Sequence, residues 1–208
     1  MVDNSIRTYI ATGVMLLATS TASAQNRPIP ESQWTRDTHI WLARAMVAEA
    51  GWLAERDHIA IAYVLARRWR RLIENWPALR FIDVIRNYCA GLGDYTRELT
   101  PRQRWLRGLS WNDDKPDGWP RAASWPRHLP LWRNALARSA RWSRGGLTDP
   151  CRGRAWHWGG VIDTPQGRMV AVNCGKTRNT YYRVQPLRTG ASMENFGKNG
   201  AARTVAKR

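Results

Sequence analysis

The run Trp41-Leu42-Ala43-Arg44-Ala45-Met46-Val47-Ala48-Glu49-Ala50-Gly51-Trp52 constrains this chain more than any other. It reads as a helix buried on most of its circumference, so the rest of the molecule has to be built around it. One residue breaks the pattern. At about 100° per residue, Leu42, Ala45, Met46, Trp52 and Leu53 fall within about 60° of Glu49, while Asp37, Arg44 and Glu55 gather on a separate stripe. Carboxylates are seldom taken out of water without a partner or a task. Apolar surroundings favour a protonated carboxyl, the form a general acid needs.

Helical patterns continue on both sides. Thr35 or Asp37 can cap the Glu49 helix, which is expected to run to about residue 54. Asp57 is positioned to cap a second helix, from His58 to about residue 74, with Ile61, Val64, Leu65 and Leu72 on its apolar face. Its far end, Arg67-Arg68-Trp69-Arg70-Arg71, puts cations where the helix dipole favours them. Residues 81 to 90 form a third helix, broken by Gly91-Leu92-Gly93. Thr100-Pro101 opens a fourth. Residues 110 to 129 read as loop, and Pro130 starts a helix that Gly145-Gly146 stops. From Thr148 onward the helical period is lost, and residues 169–172 and 180–184 are candidate short strands. The expected fold is mainly α, with a small irregular or β-containing C-terminal part.

Thirteen tryptophans are many for 208 residues. Trp69, Trp105, Trp132 and Trp142 lie on helical patterns and read as core. Trp111, Trp119, Trp125, Trp156 and Trp158 fall in expected loops, where an indole suits stacking on sugars or bases.

Residues 1–24 have the pattern of a secretory leader. Arg7 is the basic element and Asp3 weakens it; an apolar run from Tyr9 to Ala18 follows, and Ala22-Ser23-Ala24 is a small-x-small cleavage site. The apolar run is shorter than the ~20 residues of a membrane span. Removing the leader takes one acid and one base, so the formal net charge stays at +17. Such an excess suits a polyanionic partner. For an exported protein the anionic cell wall is the natural one, and export argues against a specific nucleic acid. Residues 188–208 read as a basic tail. Of the three cysteines, Cys151 and Cys174 flank one turn-rich segment and are the expected disulfide in an oxidising compartment, stabilising by roughly 3 kcal/mol through chain entropy. Cys89 is left as a buried thiol. No Cys/His spacing suggests zinc or another metal, and no motif asks for a cofactor.

Two blocks resemble the cell-wall hydrolase family typified by the spore-cortex-lytic enzyme. The first is Leu42 to Gly51 followed by Ile59-Ala60-Ile61-Ala62-Tyr63-Val64-Leu65-Ala66-Arg67-Arg68. It is similar to that family's leading helix pair, in which an Ala-Arg…Glu-Ala-x-Gly-Glu helix precedes an apolar helix ending in Asn-Arg. The second is Asp149-Pro150-Cys151-Arg152-Gly153-Arg154-Ala155-Trp156-His157-Trp158, then Asn173-Cys174-Gly175 and Asn179-Thr180-Tyr181-Tyr182. Gly51-Trp52 and Ala66 depart from the family pattern, and the Trp-rich stretch from Trp105 to Trp142 lies outside it. The resemblance implies a lysozyme-like fold over residues 25–187 and cleavage of the glycan strand of peptidoglycan in the periplasm or outside the cell. It aligns Glu49 with the catalytic Glu. His157, Trp158, Asn173 and Tyr182 become candidate substrate-binding residues. Only one of Tyr181 and Tyr182 can face a cleft from a strand.

Glycan cleavage requires a proton on the leaving oxygen while positive charge builds at the anomeric carbon. Two-carboxylate hydrolases add a second acid. Glu55 faces away from Glu49, so Asp94, Glu98 and Asp149 are the candidates from loops. Without one, the single-Glu route of a lytic transglycosylase is the expected mechanism, giving a 1,6-anhydro product. The alternatives are muramidase-type hydrolysis, or a non-catalytic wall-binding or nucleic-acid-binding protein in which Glu49 is a paired structural carboxylate.

Overall fold

The computed structural model describes residues 28–93, 98–112, 124–159 and 169–184. The leader, the basic tail, Asp94 and Trp119 lie outside the described residues. Five helices are described: α1 (Arg36–Ala50), α2 (Glu55–Ile73), α3 (Phe81–Tyr88), α4 (Pro101–Gly108) and α5 (Trp125–Ser143). Three short strands follow: β1 (His157–Gly159), β2 (Met169–Val172) and β3 (Thr180–Val184). They form one antiparallel sheet in the order β1-β3-β2. The chain is thus mainly α with a small β part, as its patterning indicates.

α1 is the centre of the molecule. It packs against α2, α3, α4 and α5. Leu42, Ala43, Ala45, Met46, Val47, Ala48 and Ala50 are all buried, most of its circumference. The Thr35 side chain caps it by accepting from the Thr38 amide at 3.1 Å. Gly51, at φ 79°, ends it in a conformation that costs glycine no Cβ clash. The helix therefore stops short of the expected residue 54. Trp52 and Leu53 are not on its Glu49 face, Leu53 is exposed, and Glu55 belongs to the next helix.

Three further boundaries differ from expectation. α2 begins at Glu55, so Asp57 lies inside its first turn rather than capping it. α3 ends at Tyr88, and a separate 3-10 turn takes up Ala90–Leu92. α5 begins at Trp125 rather than Pro130. Pro126 sits in the first turn, where a missing N–H loses no helical bond, and Pro130 is carried one turn in. Trp125 is consequently a buried helical residue, not a loop indole. At the fourth helix the Thr100–Gln103 capping box is complete.

Trp69, Trp105, Trp132 and Trp142 are buried. Phe81 stacks on Trp142 and meets Trp34 and Trp69 edge-on, joining α2, α3 and α5 through aromatic contacts. The C-terminal third is closed on itself by the Cys151–Cys174 disulfide and tied to the helices by two arginines of α2. Arg67 donates to the Ala155 carbonyl at 2.6 Å and to Asp149 Oδ2 at 2.6 Å. Arg68 donates to the Trp156 carbonyl at 3.2 Å and to His157 Nδ1. The cationic end of α2 thus serves as a clamp as well as a complement to the dipole. Cys89 is a free, buried thiol. Among the described residues, no helix is long and apolar enough to cross a membrane.

Candidate active site

A helix end leaves carbonyl groups without intrahelical partners. At the C-terminus of α1 the carbonyls are taken up by the capping residue and by three other segments. The Val47 carbonyl accepts from Gly51 N at 2.9 Å. The Ala48 carbonyl accepts from Arg102 of α4 at 3.4 Å, and the Glu49 carbonyl from the Asn179 side chain at 3.1 Å. The Gly51 carbonyl accepts from His58 Nε2 at 2.6 Å. The backbone carrying Glu49 is therefore held from several directions.

The Glu49 side chain is half-buried and bonded at both oxygens. Oε1 accepts from Gly91 N at 2.8 Å, and Oε2 from the Trp158 indole N–H at 3.0 Å. These donors come from the 3-10 turn after α3 and from β1, so the carboxylate joins three parts of the chain. Gly91 reaches it because it has no side chain. A Cβ there would lie 2.8 Å from the Ala48 carbonyl oxygen and 3.0 Å from the Ala48 Cβ. An ionised carboxylate has about four acceptor positions, and two are used here. One position on each oxygen remains for a proton or a substrate hydroxyl.

Asp57 organises the far wall. It is 2 % exposed. Its carboxylate accepts from Arg178 N at 2.8 Å, Asn179 N at 2.9 Å and the Tyr181 hydroxyl at 3.0 Å. Burial, together with the charge of Asp57, pushes the Tyr181 hydroxyl far above the usual phenol range, so it stays a donor. Asp57 thereby fixes the turn that brings Asn179 to Glu49. His58 is wholly buried, and burial drives its pKa down to about 4. It is neutral at pH 7, donating from Nε2 to Gly51 and accepting from Arg138 at Nδ1 over 3.1 Å.

The candidate substrate residues divide by strand face. The register pairs Trp158 with Tyr181 and His157 with Tyr182. Trp158, Tyr181 and Val172 share the face turned to Asp57 and Glu49, whereas His157, Tyr182 and Ala171 share the other. Trp158 alone of the four touches the Glu49 carboxylate. His157 is held by Arg68, and burial, then the Arg68 charge, lowers its pKa to about 4. Exposed Asn173 closes a turn by accepting from Gly175 N at 2.8 Å. Gly91, Asp57 and Asn179 carry much of the site's geometry, yet in sequence they read as a helix break, a helix cap and a turn residue.

The other candidate acids are engaged elsewhere. Asp149 accepts from Arg67 and from the amides of Cys151 and Gly153, both at 2.8 Å. Glu98 is 94 % exposed and 3.8 Å from Arg104. Glu55 lies 3.6 Å from Arg138. Among the described residues, no cluster of His, Cys, Asp and Glu could hold a metal ion. Beside the site, Trp52 stacks on Trp105 at 5.9 Å and meets His128 at 4.9 Å, extending an aromatic surface from the α1 terminus. No protein-family model, curated protein or solved structure matches this chain.

Proposed function

We propose that the protein is an exported peptidoglycan-degrading enzyme that cleaves the glycan strand as a lytic transglycosylase, with Glu49 as its single catalytic carboxylate. The observation that carries this reading is the Glu49 carboxylate itself. It is fixed by one N–H on each oxygen, with an acceptor position open on each. No second described carboxylate shares its setting. Asp57, the acid tied to the same turn, is buried and committed to three structural donors. The resemblance of the two sequence blocks to cell-wall hydrolases supports the same substrate.

In this mechanism protonated Glu49 gives its proton to the glycosidic oxygen as the C1–O bond breaks. The substrate's N-acetyl oxygen stabilises the cationic carbon. Glu49, now a carboxylate, removes the proton of the 6-hydroxyl, whose oxygen closes on C1 to leave a 1,6-anhydro sugar. Gly91 N–H and the Trp158 indole hold the two oxygens in place through both steps. Trp158 and Trp52 offer aromatic surface to sugar rings. The disulfide, the leader pattern and the basic charge agree with work in the periplasm or outside the cell, against an anionic wall.

The test is clearing of peptidoglycan in a zymogram by the purified protein and by Glu49→Gln. The reading requires that clearing is lost while the variant stays folded. A structural Glu49 would instead give a variant that unfolds more readily but, where folded, clears as before.

A further inference from the structure

An open cavity of about 800 Å³ lies apart from Glu49, between the first turns of α2 and the disulfide-bonded loops. Its wall includes Arg56, Arg152, Arg154 and Asn173. All three arginines are exposed, and among the described residues none has an ion-pair or hydrogen-bond partner for its guanidinium. The two acids on the same wall are already matched, Glu55 by Arg138 and Asp149 by Arg67. The cavity is therefore left with three uncompensated cations.

The loop that presents two of them is rigid. Asp149 accepts from the amides of Cys151 and Gly153, Arg67 neutralises it, and Cys151 is bonded to Cys174 of the cavity wall. Arg152 is the described non-glycine residue with a left-handed backbone, at φ 53°. Such a conformation is unfavourable for arginine and persists only where the surroundings impose it. Arg56, also on the wall, lies close against Gly175, where a Cβ would fall 1.8 Å from its Nη1. The turn that begins with Asn173 and Gly175 at the cavity ends with Asn179 on the Glu49 carbonyl. One extended polymer could thus meet both places.

We propose that this cavity is an anion subsite for the oxyanion groups, carboxylate or phosphate, carried along the wall polymer. Guanidinium groups suit either by paired N–H donation. The identity of the polymer rests on the proposed function; the anion site does not.

The experiment measures co-sedimentation of the full chain carrying Glu49→Gln, which leaves the polymer uncut. Its probes are intact sacculi, sacculi stripped of peptide stems, and sacculi stripped of phosphate polymers. Arg56→Gln/Arg152→Gln/Arg154→Gln in that background should bind intact sacculi roughly tenfold more weakly, while the matching triple lysine variant stays within a few-fold. Stripping the polymer that bears the oxyanion should weaken the parent by the same factor and the triple Gln variant no further. An unchanged melting midpoint for each variant establishes folding, and Arg154→Gln alone, at a solvent-exposed side chain, serves if the triple variant does not fold. Equal binding by parent and Gln variants, or no binding of any sacculus by the parent, overturns the proposal. Failure of glycan cleavage is read separately, in the zymogram, and leaves this result intact.

Discussion

Gly91→Ala is the sharpest probe of how the candidate site is built. Gly91 is not in the left-handed region, so alanine meets no backbone strain there. The cost is steric: the new Cβ would lie 2.8, 2.9 and 3.0 Å from the oxygen, carbon and Cβ of Ala48. Those atoms belong to the central helix and cannot swing aside as a side-chain tip would. The 3-10 turn has to retreat by several tenths of an ångström, which lengthens the 2.8 Å bond from Gly91 N to Glu49 Oε1. Overpacking of this kind costs about 1–3 kcal/mol of stability. A bond to a charged group contributes about 1.5–3 kcal/mol, so cleavage should fall roughly ten- to a hundredfold. Gly153→Ala is the control. A Cβ there meets nothing within 4 Å, but the backbone is at φ 77°, so it isolates backbone strain of about 1–2 kcal/mol without disturbing Glu49. Denaturant unfolding and release of soluble fragments from sacculi measure both quantities. Wild-type stability and wild-type activity in Gly91→Ala would refute the close-approach argument.

Two further outcomes follow from the same contacts. Trp158→Phe keeps an aromatic ring but removes the donor to Glu49 Oε2; activity should fall at least about tenfold for a stability change near 1 kcal/mol, measured by the same pair of assays. His58 gives a pH dependence of defined sign. Burial holds its folded pKa at about 4, below the ordinary imidazole value of 6.5. The unfolded chain therefore takes up a proton first as pH falls. Between pH 7 and pH 5 this should cost about 2 kcal/mol, rising to about 3 kcal/mol below pH 4. Burial also holds the His157 pKa at about 4, so its share of the loss appears in both proteins. Denaturant titrations at pH 7 and pH 5 should show a loss larger by about 2 kcal/mol in the parent than in His58→Gln, and parallel profiles would contradict it.

Local signals in this chain were legible and long-range ones were not. The Thr35 cap, the Thr100–Pro101 start and the Gly145 stop each act within a few residues, so their chemistry can be read in order. Glu49 was legible because its apolar neighbours lie on one helix. Its partners are 42 and 109 residues away, and nothing local to Gly91 or Trp158 signals them. Gly91 resembles any helix breaker until the Ala48 backbone is beside it. Asp57 resembles a cap because its spacing suits one, but the amides of Arg178 and Asn179 compete for it and win. The start of α5 was obscured by its prolines, which suggest loop although the first turn of a helix tolerates one. β1 is only three residues long and has no periodicity to display.

Mass spectrometry of the fragments released from purified peptidoglycan tests the central claim most directly. The single-Glu account predicts 1,6-anhydro ends from the wild-type protein and no fragments from folded Glu49→Gln. Reducing ends would replace transglycosylation with hydrolysis and demand a second acid. Undiminished release by Glu49→Gln would contradict the assignment of Glu49 altogether.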